Sequence, residues 1–527
     1  MRINTHTDEG EVSGRAIVRR VIFENGTVRT LDPSLPTAGA LAISGDRIAG
    51  GVGTHETALA SPEVVDLGGR CILPGFTDSH VHFPTWAAAR NVIRLEDTTS
   101  AEDAASRMAP GVPGTAPDHW FRAQGFRETN WPALPTKEVL DAVTGDTPAA
   151  VISKDFHAIW LNSAGIARTG GDLREYDVPG GVVELGPNGE PTGLIREESA
   201  WRFKENHLEL SDSEYLAALR EGLEVASSRG VTAIHDKDGW IPAIPRLWQE
   251  LERDEALPLR VWQSVPAENV DRLGEIGIAS GLGERVRVGY LKVFMDGTLG
   301  SHTALMTDGT GVEITSREEL ADILRRAATA RWPVAVHAIG DLANRNALDA
   351  FEETKDLWQP LGLRHRIEHT QCLTPEDVPR FAELGLTASV QFCHAPSDEE
   401  LAHRFWADRL DGVYSFRSLL DVGTRLINGS DAPIEELLPW QGIVDGVLRH
   451  WREDQRVTLE EALVATCVAP AWQTYDERRR GKLIPGYLAD LVVLDRDPLA
   501  IPLEELPEIQ VVATMVGGRW THNPPPW

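Results

Sequence analysis

What narrows the folding choices of this chain most is a rhythm in its second part. From about residue 200 onward, short apolar runs alternate with helical stretches. VTAIHD, LRVWQSV, VRVGYLKVFMDG, WPVAVHAIG, LRHRIEHT, LTASVQF and RLINGSDAP are such runs, and CILPGFTDSHVHF upstream completes a set of eight. Runs this short, rich in β-branched residues, read as strands buried on both faces. Helical patterns separate several of them. SDSEYLAALREGLEVASSRG has Ser211 as N-cap, Glu214 at the capping-box position and Gly230 past its end; REELADILRRAATAR, DLANRNALDAFEETKD and PEDVPRFAELG follow. Eight strands with intervening helices predict an α/β chain folded as a (β/α)8 TIM barrel.

Both ends of the chain read differently. AIVRRVIFENGTVRTLD carries β-branched alternation and an Asn25-Gly26 pair, a hairpin signal, and ALAISGDRIAGGVG repeats the pattern around a Gly-Asp turn. ADLVVLDRDP and IQVVATMVGGRWTH are short strands near the other end. Neither end has strands enough for a stable unit, so one small β-sandwich domain built from both is expected, residues 1–72 plus 482–527, around a barrel of residues 73–481. The segment of about residues 84–200, between the first and second barrel strands, is too long for a loop and predicts an inserted subdomain. Insertions after a barrel strand cover the active-site face, so it is a candidate lid or substrate wall. Its region holds Trp86, Trp120, Trp131 and Trp160, which either line an apolar pocket or pack the insertion itself.

Charge excludes some partners. In 527 residues, 80 Asp and Glu stand against 51 Lys and Arg, a formal net charge of −29 spread along the chain. Such a surface is repelled by nucleic acid and by anionic membranes. No apolar run is long enough to span a bilayer, and MRINTHTDEGEVSGR lacks a signal-peptide core. Cys71, Cys372, Cys393 and Cys467 lie far apart with no C-x-x-C spacing, which argues against disulfides and a Cys-type zinc site. A cytoplasmic protein with a small-molecule substrate is expected; a homodimer is one assembly open to it.

Potential ligands sit where a barrel would gather them. His80 and His82 are one residue apart, so a strand points both imidazoles the same way, as a metal site needs and as any exposed strand would also do. Lys292, His337, His369 and Asp431 fall in or near the ends of other barrel-strand runs. Strand ends converge on one mouth in a parallel barrel, and imidazole with carboxylate suits a divalent metal such as zinc. Alternation in VRVGYLKVF puts Val288, Tyr290 and Lys292 on one face. Lys292 is buried on either face, so it must be paired (Asp296 is near in sequence), neutral or modified.

LPGFTDSHVHF, the strand lysine followed by MDGTLGSHTA, HAIGDLANRNALDAFE, RHRIEHTQCLTPEDVPRFAELGLTASVQF and INGSDAPIEELLPW resemble the metal-dependent amidohydrolase superfamily. More narrowly they resemble its YtcJ-like branch, amidohydrolase family 3, which includes N-substituted formamide deformylases. The insertion, through LPTKEVLDAVTGDTPAAVISKDFHAIWLNSAGI and NGEPTGLIREES, and the terminal PGYLADLVVLDRDP extend the resemblance over nearly the whole chain. It implies one or two zinc-like ions, with His80 and His82 holding the more buried metal, Lys292 matching a lysine that in many relatives is carboxylated by CO2 and bridges two metals, and His337 and His369 matching the ligands of the second. Asp431 would contact metal and shuttle the proton while metal-activated hydroxide attacks the carbonyl of a non-peptide C–N bond, an amide or formamide with an apolar substituent. His157, in DFHAIWLNS, and Trp160 are candidate substrate contacts. So is His302, which stands where many relatives carry an arginine. Asp296 and Asp341 are candidates for orienting ligands. Two other readings keep the same residues: ester or lactone hydrolysis, and a non-catalytic binding protein on the amidohydrolase fold.

Overall fold

The structure is a computed structural model and describes residues 20–49, 62–90, 92–116 and 119–527. The N-terminal stretch MRINTHTDEGEVSGR, the first residues of AIVRRVIFENGTVRTLD and the tail of ALAISGDRIAGGVG lie outside them.

Each of the eight apolar runs contains one barrel strand: β1 Phe76–Val81, β2 Val231–Asp236, β3 Arg260–Pro266, β4 Val286–Phe294, β5 Val334–Ala338, β6 Arg366–His369, β7 Thr387–Val390 and β8 Arg425–Asn428. Consecutive strands pair in parallel in chain order. The chain after β8 returns to β1: the Asp431 N–H donates to the His80 carbonyl at 2.7 Å and the His82 N–H to the Ala432 carbonyl at 2.8 Å. The helix Asp212–Ser228 starts on the foreseen capping box, with Ser211 and Glu214 bonded reciprocally, and Arg317–Ala330 starts on a second one at Ser316 and Glu319. Leu291, Val293, Val336, Ile367 and Val390 of the strands pack with Leu320, Leu324 and Phe351 of the helices in one continuous core. Full burial of side chains of this size contributes about 1.5–3 kcal/mol each.

Strand β4 breaks its alternation. Gln263 pairs with Val288 but Val265 with Leu291, so two residues of β4 oppose one of β3, and Tyr290 takes a φ of 67°. The bulge separates Val288 from the face on which alternation alone would put it. Val288 packs on the outer core with Leu291 and Val293, while the Tyr290 ring meets Lys237 and Arg366.

The run CILPGFTDSHVHF serves two sheets. Cys71–Pro74 pairs antiparallel with Leu491–Leu494 from the far end of the chain, and β1 begins two residues later. Gly75 makes the transition; a Cβ there would come within 2.1 Å of the Thr232 side chain, so no larger residue fits. A four-stranded and a six-stranded sheet, the second combining strands from both ends, share one core that includes Phe23, Ile72, Leu491 and Met515. The Asn25-Gly26 pair is not a hairpin turn, against expectation. Arg20–Glu24 belongs to the first sheet and Thr27–Arg29 to the second, so the chain crosses between them there. The Gly45-Asp46 and Gly517-Gly518 pairs do close two-residue hairpins, with Ser44 opposite Arg47 and Val516 opposite Arg519.

After β1 the inserted segment builds its own six-stranded sheet, from Ile93–Arg94 to Pro191–Glu197. Its core holds Phe126, Trp131 and Trp160. Among the described residues no helix is long and apolar enough to cross a membrane.

Candidate metal centre at the barrel mouth

Four imidazoles and a carboxylate meet at the C-terminal ends of β1, β5, β6 and β8. Asp431 is central: its Oδ1 lies 3.3 Å from His80 Nε2 and 3.5 Å from His82 Nε2, and its Oδ2 lies 3.8 Å from His369 Nδ1. Ligand atoms of His80, His369 and Asp431 lie within 4.8 Å of one another. The backbone is left-handed at His369 (φ 71°), Thr370 (φ 50°) and Asp431 (φ 58°), a conformation that non-glycine residues hold only where the surroundings enforce it.

Three of the imidazoles are fixed from behind. His80 Nδ1 is 2.7 Å from Glu368 Oε2, His82 Nδ1 is 2.8 Å from Asp238 Oδ1, and His369 Nδ1 is 2.9 Å from Gln391 Oε1. An acceptor on Nδ1 places the ring proton there and leaves Nε2 as the lone pair, which in His80 and His82 faces Asp431. Burial holds His80 and His369 well below the usual imidazole pKa, with Glu368 opposing it at both, and also lowers His82 and His394. All four rings are therefore neutral near neutral pH. Burial works against the Glu368 charge, but Arg366, then His80, outweighs it and keeps the carboxyl well below the ordinary carboxylate range. Glu368 also accepts from Lys237 Nζ at 2.9 Å and forms an ion pair with Arg366, whose Nε lies 2.7 Å from Oε1, all three residues being buried.

The β4 and β5 side is less settled. Lys292 is buried with no hydrogen-bond partner on Nζ and stands 4.5 Å over the Phe294 ring. Burial lowers it to about 8, against the pull of Glu368 and Asp431. Asp296 is not its partner: that carboxylate accepts from the backbone N–H groups of Leu305, Ile339 and Gly340. His337 packs its ring at 4.5 Å against His369, while its Nε2 pairs with the Gly297 carbonyl at 3.1 Å and lies 3.7 Å from Asp296. Asp341 holds Thr307 and Arg409 and touches no histidine of the cluster.

The donor set fits a divalent metal. His80 Nε2, Asp431 Oδ1 and Lys292 Nζ are buried polar atoms with no hydrogen-bond partner among the described residues; Asp431 and Lys292 line one cavity, and His80 Nε2 lies 3.3 Å from Asp431 Oδ1. Imidazole nitrogens and a carboxylate oxygen are the ligand types zinc takes.

The cavity over this cluster measures about 460 Å³ and is walled by both barrel and insertion. His157 reaches it from the insertion. Its Nδ1 is 2.6 Å from Glu197, which also accepts from the Thr303 hydroxyl. Burial would lower the His157 pKa, but Glu197, with Asp155 and Asp431 behind it, raises it. The two other candidate substrate contacts lie elsewhere. Trp160 is fully buried inside the insertion, its indole N–H bonded to the Thr136 carbonyl, because strand Ala158–Leu161 turns it into that sheet's own core. His302 is solvent-exposed, stacked at 4.4 Å on Phe405. The tryptophans that do line the cavity are Trp201 and Trp240, grouped around Phe294.

Sequence reasoning passed over Glu368, Asp238, Gln391, Lys237 and His394. The signal available for Glu368 was adjacency to His369, but strand alternation sends neighbours to opposite faces, and the left-handed turn at His369 is what lets both serve the site. Asp238 stood in view as an acid just beyond the second barrel strand, in VTAIHDKDG.

A parallel barrel with a histidine–carboxylate cluster at its C-terminal mouth defines a metal-dependent hydrolase in architecture and donor chemistry. Residues 63–522 match the model of the amidohydrolase family, Amidohydro_3, and the chain belongs to that family, hydrolases that act on carbon–nitrogen bonds. It is 29% identical over 503 residues to the putative amidohydrolase YtcJ of Bacillus subtilis, covering 90% of this chain and 94% of that protein. It is 27% identical over 545 residues to an N-substituted formamide deformylase of Arthrobacter pascens, covering 95% and 98%. Among solved structures, an uncharacterized metal-dependent hydrolase from Pyrococcus horikoshii superposes with a TM-score of 0.75 at 27% identity, over 92% of this chain and 99% of that one.

Proposed function

We propose that the protein hydrolyses a non-peptide amide, formamides included, whose nitrogen bears an apolar substituent. His80, His82, His369 and Asp431 would hold one zinc ion, and His337 with Lys292 would serve a second. Lys292 suits carboxylation: at a pKa of about 8 part of it is free amine near neutral pH, which adds to CO2 and releases one proton. When bound, such a metal supplies Lewis-acid polarisation of a carbonyl and lowers the pKa of water from about 16 to about 7.

Asp431 carries the proton. Burial raises its pKa well above the carboxylate range, with Lys292 and His157 opposing, so it can take a proton from the attacking water and return it to the nitrogen. An amine leaves readily only once protonated, so this return is as necessary as the attack. His157, kept protonated by Glu197, is poised to donate to the carbonyl oxygen as charge builds on it. Trp201, Trp240 and Phe294 offer an apolar wall for the substituent.

The observation that carries this reading is the Asp431 carboxylate within 3.3–3.8 Å of three imidazoles, each held on Nδ1 by its own acceptor. The name of the Arthrobacter pascens relative supports the bond. The four cysteines are free, in keeping with a reducing, cytoplasmic location. Metal analysis of the purified protein should find about one or two equivalents of zinc per chain, and N-alkyl formamides should be cleaved. Full activity in metal-free protein would overturn the reading.

A further inference from the structure

One imidazole at the mouth has no task so far. His394 follows β7 and opens the short helix His394–Ser397. It lines the cavity, is only 5% exposed, and its Nε2 is buried with no hydrogen-bond partner among the described residues. The backbone around it is pinned. The His394 N–H donates to the Gln391 carbonyl at 3.2 Å, the Asp398 N–H to the His394 carbonyl at 2.9 Å, and the Trp451 indole to the Ala395 carbonyl at 2.7 Å. The ring lies parallel to His369, 6.2 Å away and inclined by 10°, and its Nε2 stands 3.8 Å from Asp431 Oδ2.

His394 differs from the three histidines beside it. Each of those has an acceptor on Nδ1 that turns Nε2 into a fixed lone pair; among the described residues His394 has no such acceptor. Folded proteins rarely leave a buried polar nitrogen without a partner, and where they do a ligand commonly completes it. The atom that Asp431 protonates must lie within reach of its carboxylate, whose Oδ2 stands 3.8 Å from His394 Nε2. In a secondary amide that atom is a nitrogen carrying one hydrogen. In an ester the equivalent oxygen carries only lone pairs and has no hydrogen to offer an accepting Nε2.

We propose that His394 Nε2 accepts a hydrogen bond from the N–H of the scissile amide, and so favours secondary amides over esters of the same shape. This rests on the amide reading above. The test uses the zinc-loaded enzyme, an N-alkyl formamide and the matching alkyl formate, with kcat/KM measured for both in wild type, His394→Phe and His394→Gln. Phe conserves the ring's bulk and removes the acceptor; Gln restores an acceptor oxygen. The amide-to-ester ratio should fall about tenfold in His394→Phe, the worth of one neutral hydrogen bond, and recover in part in His394→Gln. An equal loss on both substrates in His394→Phe, with the ratio unchanged, would mean a structural role only and would overturn the proposal. If His394→Phe fails to fold or to retain zinc, His394→Leu, which also removes the acceptor, takes its place: a fallen amide-to-ester ratio supports the proposal, and an unchanged ratio overturns it. A wild type that cleaves the ester but not the amide would bring down the amide reading itself, visible before any variant is made.

Discussion

The two sides of the mouth are built differently. On the β1 and β6 side, His80, His82 and His369 are each braced by a partner that fixes the ring proton, and Asp431 stands against Nε2 of His80 and His82 and Nδ1 of His369. On the β4 and β5 side, Lys292 bonds to nothing and His337 turns Nε2 to a backbone carbonyl. One half is finished by folding alone. The other, under the function proposed above, would be completed by a chemical change at Lys292, which the amino-acid code does not specify. Binding of a first metal should therefore depend on bracing residues, and binding of a second on CO2.

The sharpest test of this contrast falls on the residue shared by both halves. Asp431→Asn should lower kcat by about a thousandfold, within the range for loss of a general acid–base, with the fold intact by circular dichroism. Next comes the brace with the most at stake. Glu368→Gln leaves Arg366 and Lys237 buried without their carboxylate, so it should lower stability in urea by about 3 kcal/mol and weaken zinc binding as well. Stability at control value would mean the brace is ornamental. On the opposite side, the Lys292 pKa is lowered in the fold to about 8 from 10.5. Between these values the unfolded chain binds more protons than the folded one, so the penalty for burying the ammonium, full below pH 8, disappears as pH approaches 10.5. Metal-free, CO2-free protein should gain about 2–3 kcal/mol across that window relative to Lys292→Met, measured by denaturant unfolding. A parallel pH profile in the variant would show that another group titrates. The smallest effect is expected at His302, outside the cavity: His302→Ala should change KM by less than about twofold, where an arginine-like role in substrate binding would give far more.

The barrel was legible because a strand buried on both faces leaves a short apolar run, and eight such runs survive in the sequence. The histidines and Asp431 were legible because strand ends in a barrel share one mouth. What escaped detection lay where backbone geometry departs from regularity. The bulge at Tyr290 moved Val288 to the outer face, and the left-handed turn at His369 brought Glu368 to the same site as its neighbour. Trp160 failed as a wall residue for another reason: a tryptophan reads equally as pocket or core, and only the sheet it lies in decides. The Asn25-Gly26 pair supplied the right local turn, yet which sheet each flanking strand joins depends on partners at the far end of the chain.

The seam between Asp431 and His80 has a consequence for biosynthesis. Because the Asp431 amide bonds to the His80 carbonyl and its carboxylate completes the cluster, the centre joins residues 80 and 431. A nascent chain halted between residues 369 and 431 carries every histidine of the braced trio without the carboxylate they surround. The ribosome therefore has to finish nearly the whole barrel before any copy of this protein can gather its metal.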